Sequence, residues 1–367
     1  MKIALDAMGG DFGSDPLVAG ADLARRDFGT EVVLVGDPSV IRERLRALSL
    51  PPTTFEIVEA KDVIDMTDKA SDVRKRREST VWVSAELVKK GHVEGAVSAG
   101  HSGASLAAAM WVLGRIKGVE RPTIGTILPC RSSRTPSSHQ ASPQTSSSTE
   151  AGRDSGHFIL VDGGANVDCK PSHLVSFARM GRLLSRHLFS VDQPRVSLLS
   201  NGEEETKGNE LVARTIDLLR GRGEGSEKGE AYPWFTGPIE SRDIFSGETD
   251  VVVCDGFVGN IVLKEAEGLA QTIMEMMRDA ARSNLRSKIG GLLLRPALSR
   301  MKKRIDWAEY GGAPLLGVGG LFVICHGRSN ALAIKNAIGM ADRLAASGLT
   351  EALKAEMAPG GESEAAG

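Results

Sequence analysis

The chain has 367 residues, 41% hydrophobic and 25% charged, an ordinary composition for a soluble globular protein able to bury a substantial core. Its 45 Lys and Arg against 47 Asp and Glu give a formal net charge of -2, so no overall basic field points to nucleic acid. No apolar run is long enough for a spanning helix, and four scattered cysteines (Cys130, Cys169, Cys254, Cys325) argue against a metal knuckle or a disulfide framework.

In chain order, short apolar runs end repeatedly in glycine-rich turns. The run at 3–5 enters DAMGGDFG; with Asp6 so early there is no room for a secretory signal, and a cytoplasmic protein is expected. A helix is predicted over 15–27 with Pro16 in its first turn, then a strand over 32–35. Ser79 is placed to cap a helix over 80–90, and the run at 96–97 leads into SAGHSGA, where Ser102 begins an alanine-rich helix to about 113. The segment 130–154, rich in Ser, Thr and Pro, is expected to be a mobile surface loop because it has almost nothing to bury. A strand over 158–161 ends in DGGAN, and Pro171 starts a helix to about 188. The run at 196–199 ends in SNGEEE, followed by a helix over 208–219 and a shorter loop at 221–229. The run at 251–254 ends in DGFVGN, and that at 321–325 in HG, ahead of a helix over 328–346; the tail 358–367 is expected to be disordered.

Short continuous apolar runs suit strands buried on both faces. Their alternation with helices predicts an α/β protein, a three-layer α/β/α sandwich with a largely parallel sheet, forming one catalytic domain over 1–357.

The segment 264–306 breaks this rhythm. It opens as a long helical pattern and then, from 282 to 304, carries eight basic residues and no acid, among them Arg295, Arg300 and Lys302. Leu292, Leu293 and Leu294 lie beside them. This is the composition of a helix lying on a membrane surface, or of a groove for an acidic partner; a charged helix with its apolar side in a dimer interface fits equally well.

Ligands of open α/β sheets bind outside the carboxyl ends of strands, so the glycine turns are expected to converge over one hollow. In SAGHSGA, backbone N–H groups, a helix N-terminus and the hydroxyls of Ser98 and Ser102 would form an anion pocket; MGGDFG is a second such turn. Neither is a dinucleotide fingerprint or a P-loop. A lone turn of this kind is usually only a turn; several in one chain shift the balance. In DGGANVDCKP, Asn166 and Asp168 can orient neighbours, and Lys170 at a helix start is a phosphate or oxyanion partner unless it merely pairs with a surface acid. Cys169, made acidic by Lys170, would be a nucleophile, but a small buried filler is the preferred reading. His101 is a candidate general base or donor, His326 a structural residue. Asn201 and Asn260 on post-strand turns can donate to a carbonyl or phosphate oxygen. Glu203, Glu204 and Glu205 read as a solvated loop rather than a metal site. With no convincing nucleophile, metal or cofactor, the inventory suits a transfer in which phosphate itself attacks and the protein supplies position and oxyanion stabilisation.

Six motifs in order, KIALDAMGGD, SAG-x-x-GA, DGGANVDCKP, LLSNGEEETKGNEL, DGFVGNIVLKEAEG and YGGAPLLGV, resemble the phosphate acyltransferases of bacterial phospholipid synthesis over essentially the whole chain. The resemblance implies a fold like that of isocitrate and isopropylmalate dehydrogenases and phosphotransacetylase, a homodimer, and the reaction of acyl-[acyl carrier protein] with inorganic phosphate to give acyl phosphate and free carrier. It implies peripheral membrane association through a helical hairpin, matching the basic segment above, and a product handed to a glycerol-3-phosphate acyltransferase. Lys170, Asn201, Asn260 and His101 are then the catalytic candidates. Gly9, Gly10, Asp11, Ser98, Ser102, Gly103, Asn166 and Gly259 are the candidates for holding phosphate or acyl phosphate. The chain departs from the family at His101-Ser102, where Asn-Thr is common, and in its longer serine-rich segment. A CoA-dependent phosphotransacetylase, a non-enzymatic phosphate- or carrier-binding module and a dehydrogenase are the alternatives, the last disfavoured by the missing fingerprint.

Overall fold

The computed structural model describes residues 1–131, 156–222, 231–305 and 307–358. The expectations for 130–154, 221–229 and 358–367 therefore fall wholly or mostly outside the described residues.

The chain opens with β1 (Lys2–Asp6), α1 (Ser14–Phe28), β2 (Glu31–Gly36), α2 (Pro38–Ala47) and β3 (Glu56–Glu59). After a short 3-10 turn come α3 (Thr80–Lys89), β4 (Gly95–Ser98), α4 (Ser102–Val112), β5 (Thr123–Pro129) and β6 (His157–Val161). Then follow α5 (Pro171–Phe189), β7 (Val196–Ser200), α6 (Glu210–Leu219), β8 (Phe235–Glu240) and β9 (Val251–Val253). The long pair α7 (Gly256–Arg282) and α8 (Leu285–Ile305) precedes β10 (Ala313–Leu316), β11 (Leu321–Ile324), α9 (Ala331–Ala346) and α10 (Leu349–Met357).

Among the described residues the eleven strands form one sheet in the order β3-β2-β1-β4-β11-β10-β5-β6-β9-β7-β8. Helices cover both faces, as strand alternation requires. In β1, Ile3 and Leu5 join a core with Leu17 of α1 and Ile334 of α9, whereas Ala4 faces the opposite core with Trp82 of α3 and Ala108 of α4. The helices α2, α10 and the strands β3, β5, β8 and β10 lie outside the sequence expectation.

The sheet is largely parallel, as expected, with one consequential exception at its centre. The pairings β11–β10, β10–β5 and β5–β6 are antiparallel, and the pairings on either side of them are parallel. The sheet is mixed, and β6, β9, β7 and β8 run opposite to β1, β4 and β11.

The basic segment folds as a helical hairpin. Asn284 makes the turn: its Oδ1 accepts the Ser287 N–H at 2.9 Å and so caps α8. Of α7 only Gly256 and Gly259 are buried, and Leu269, Met276, Leu292, Leu293 and Leu294 are exposed, Leu293 at 76%. Arg295, Arg300 and Lys302 are exposed on the same hairpin. Among the described residues no helix is long and apolar enough to cross a membrane.

Candidate functional site

The strands β1, β4 and β11 are adjacent and parallel, so the turns at their carboxyl ends meet. The Asp11 N–H donates to the Gly327 carbonyl at 2.8 Å. A Cβ added to Gly9 would stand 2.9 Å from the Gly100 Cα, so the two turns touch through backbone and tolerate no side chain between them. Gly10 adopts a φ of 110°, open to glycine and to few other residues.

Beneath this contact sits Asp6, 2% exposed, which composition had marked only as an early acid. Its Oδ1 accepts the N–H groups of Met8 (3.2 Å) and Gly9 (3.0 Å), and its Oδ2 accepts the Ser98 hydroxyl at 2.9 Å. Burial pushes the Asp6 carboxyl above its ordinary value; hydrogen bonds from Thr80, Ser98, Met8 and Gly9 pull the other way without cancelling it. Ser98 is fully buried and also accepts the Gly100 N–H at 3.2 Å, so its hydroxyl braces the turn.

His101, rather than Ser102, caps α4: its Nδ1 accepts the Ala104 N–H at 3.2 Å, leaving Nε2 to carry the ring proton. Ser102 and Gly103 occupy the first turn, Ser102 exposed. A recess of ≈ 10 Å³, about the room of one water, is lined by Asp6, Thr80, Ser98, Gly100, His101 and Ser105. Asp11 is exposed, with Arg328 Nε 3.9 Å from its Oδ2. Arg328, passed over in the sequence, thus adds a cation at the rim of these turns.

A second group forms at the carboxyl ends of β6, β9 and β7. Asp162, fully buried, organises the DGGAN turn: Oδ1 accepts Gly164 N–H (3.1 Å) and Ala165 N–H (2.9 Å), and Oδ2 accepts Asn166 N–H (2.8 Å). Asn166 donates its amide to Asp162 Oδ2 (2.8 Å) and to the Pro122 carbonyl (2.7 Å), so its donors are engaged in holding the loop. Its carbonyl accepts the Gly256 N–H at 2.7 Å. Gly259 is buried where a Cβ would fall 1.9 Å from the Asp162 carbonyl oxygen. Asn260, next along α7 and exposed, lies beside Gly164, whose added Cβ would come 3.5 Å from the Asn260 Cβ. Asn201 is exposed in the turn after β7, the strand paired with β9.

Lys170 is the residue before α5, with its side chain exposed. Its N–H donates to His173 Nδ1 (3.1 Å), and His173 Nε2 stands 2.9 Å from Glu120 Oε2, which fixes the backbone from which the lysine projects. Asp168 is exposed. The Cys169 thiol is not acidic. Burial, then the nearby Asp162 and Asp255, push it up to about 12, which speaks against the thiolate alternative. Glu205 pairs with Arg220 (3.0 Å) and Arg222, so it is not free to hold an ion.

The antiparallel centre of the sheet corrects the expectation that every glycine turn leaves the same edge. The first group leaves strands running one way and the second leaves strands running the other, with β11, β10 and β5 between β4 and β6.

A family model described as "Fatty acid synthesis protein" matches residues 1–136 and 148–352. The chain is 45% identical over 358 residues to a phosphate acyltransferase of Geobacter sulfurreducens, covering 97% of this chain and 94% of that protein. Among solved structures it is similar to a phosphotransacetylase from Streptococcus pyogenes, with a TM-score of 0.57 at 17% identity over 94% of both chains. It is also similar to a 4-hydroxythreonine-4-phosphate dehydrogenase from Klebsiella pneumoniae, with a TM-score of 0.51 at 12% identity over 94% of this chain and 97% of that one. At such identities the structural likeness concerns the fold.

Proposed function

The chain belongs to the phosphate acyltransferase family, and from that premise we propose that it moves a long-chain fatty acyl group from acyl carrier protein to inorganic phosphate, giving acyl phosphate for phospholipid synthesis. A phosphate oxygen attacks the thioester carbonyl carbon, the C–S bond breaks, and the carrier leaves as its free thiol. The protein's part is to hold the anion and to stabilise the carbonyl oxygen as it gains charge.

The observation that carries this reading is the backbone contact of three glycine turns over Asp6, which sets the α4 N-terminus, with the N–H groups of Ser102 and Gly103 in its first turn, beside them to hold a tetrahedral anion. Phosphate rests there against Gly9, Gly10, Ser102 and Gly103, with His101 Nε2–H as a donor. Lys170, Asn201 and Asn260 serve the thioester oxygen. A right-handed sheet twists by about 20–25° per strand, or about 90° over the steps from β4 to β6. That turn leaves the two edges roughly at right angles, and the acyl thioester must then reach from the second group to phosphate at the first, across β11, β10 and β5.

The continuous sheet supports one catalytic domain over 1–357, and the fold neighbours support an isocitrate/isopropylmalate dehydrogenase-like architecture. The test is the product. Acyl phosphate and free carrier thiol should form from palmitoyl carrier protein only when phosphate is present, and acetyl-CoA should be a poor donor. Preference for acetyl-CoA would instead favour a short-chain phosphotransacetylase.

The exposed leucines and cations of α7 and α8 support a homodimer bound peripherally to a membrane surface; a cytoplasmic location and a product handed to a glycerol-3-phosphate acyltransferase rest on the family resemblance. Leu293→Glu places a charge on the most exposed of these leucines. Sedimentation with anionic vesicles should fall several-fold while soluble turnover stays nearly intact. Unchanged sedimentation would assign the leucines to the contact between protomers.

A further inference from the structure

Asp6 is an ionisable group enclosed directly under the turns to which phosphate is assigned. It is faced by the N–H groups of Met8 and Gly9 from its own turn, by Thr80 of α3, by Ser98 of β4, and by His101 and Ser105 at the start of α4. Of these, His101 is the titratable side chain. The next charges outward are Asp62 and Arg76, which pair with each other; the Asp62 carbonyl, not its carboxylate, accepts the Thr80 N–H. No cation among these contacts offsets a negative charge on Asp6. A carboxylate here would stand beneath a phosphate dianion with only the Gly9–Gly100 backbone between them, in a space that admits about one water.

Building on the proposed phosphate site, we infer that Asp6 is a positioning residue whose carboxyl must be protonated for phosphate to occupy the turns above it, so that phosphate binding takes up a proton. When protonated, Oδ2 donates to Ser98 Oγ, whose hydroxyl rotates to accept, and Oδ1 keeps the Met8 and Gly9 amides in place. The turn geometry survives while the repulsion disappears. The sign follows from the acid's chemistry. Below the carboxyl's folded-state value the site is neutral and phosphate binds; above it, each pH unit leaves about a tenth of the competent form, and KM for phosphate rises about tenfold per unit. The burial that raises the Asp6 value moves this rise toward neutral pH.

The experiment measures KM for phosphate against pH for the full chain and for Asp6→Asn, which keeps the shape and stays neutral. Phosphate's own titration is common to both proteins, so the ratio of the two KM values removes it. The ratio should climb about tenfold per pH unit on the alkaline side. A ratio constant with pH overturns the inference. Should Asp6→Asn fail to fold, Ser98→Ala removes a hydrogen bond that favours the carboxylate and should displace the rise to higher pH. Calorimetry of the unaltered protein with inorganic phosphate in buffers of different ionisation heat should show proton uptake beyond phosphate's own. An unmoved profile, or no extra proton, contradicts it. Acyl phosphate formed with parallel pH profiles overturns this inference alone; its absence at every pH overturns the wider reading too.

Discussion

Lys170→Ala should lower turnover with phosphate by about 100- to 1000-fold while carrier binding is kept, the loss expected when a donor to a developing oxyanion is removed. The lysine is exposed, and the two contacts fixing its position, Lys170 N–H to His173 Nδ1 and His173 Nε2 to Glu120, use the backbone and the neighbouring ring rather than the ammonium group. Truncation should therefore leave the loop and its stability nearly unchanged, as exposed substitutions usually do. Steady-state kinetics beside carrier-binding titration checks it. A variant with normal turnover would remove the second group of residues from the reaction and leave the turns over Asp6 to act alone.

Gly259→Ala should have the larger effect on folding. The added methyl carbon would fall 1.9 Å from the Asp162 carbonyl oxygen, a buried backbone atom that cannot yield, and 3.1 Å from the buried Cys254 Sγ. Overpacking of this kind costs about 1–3 kcal/mol, occasionally more, and a clash with a carbonyl belongs at the upper end. The first turn of α7 would have to lift from the DGGAN loop, separating Asn260 from Gly164 and breaking the Gly256 to Asn166 hydrogen bond. A thermal melt should show a clear fall in Tm, with activity lost in step. An unchanged Tm would mean that α7 does not lie against Asp162 as described. Gly259 entered as a ligand-binding candidate; its burial makes it a spacer that lets two loops meet.

The sequence made most elements legible because their apolar runs are uninterrupted. Strands β1, β6 and β7 and helix α5 appear within a residue or two of expectation, since Val, Ile and Leu buried on both faces leave an unmistakable pattern. The missed strands have other compositions. TIGTILP in β5 and FTGPIE in β8 mix glycine, threonine and proline, and APLL in β10 is too short to distinguish from a turn. Two of these, β5 and β10, reverse the sheet, so the division of the glycine turns into two groups could not be foreseen. Pairing direction is a property of long-range contacts and leaves no local mark.

The candidate site was legible in part for a similar reason. Glycine clusters mark where backbones approach, and the Gly9–Gly100 and Gly164–Asn260 contacts lie inside the motifs singled out. The residues that brace those turns, Asp6 and Asp162, were passed over because an acid after an apolar run looks like the start of a loop. Their importance comes from burial and from the N–H groups folded around them. His101 does two things that the sequence shows as one: its Nδ1 caps a helix, and that fixes the ring so that Nε2 is the atom left for the proposed chemistry.

The most direct measurement follows the oxygen atoms. Palmitoyl carrier protein incubated with the enzyme and phosphate fully labelled with heavy oxygen should give palmitoyl phosphate retaining all of the label, with one free carrier thiol for each molecule formed. Free palmitate, or carrier release that proceeds without phosphate, would mean that water attacks the thioester and would contradict phosphate as the nucleophile.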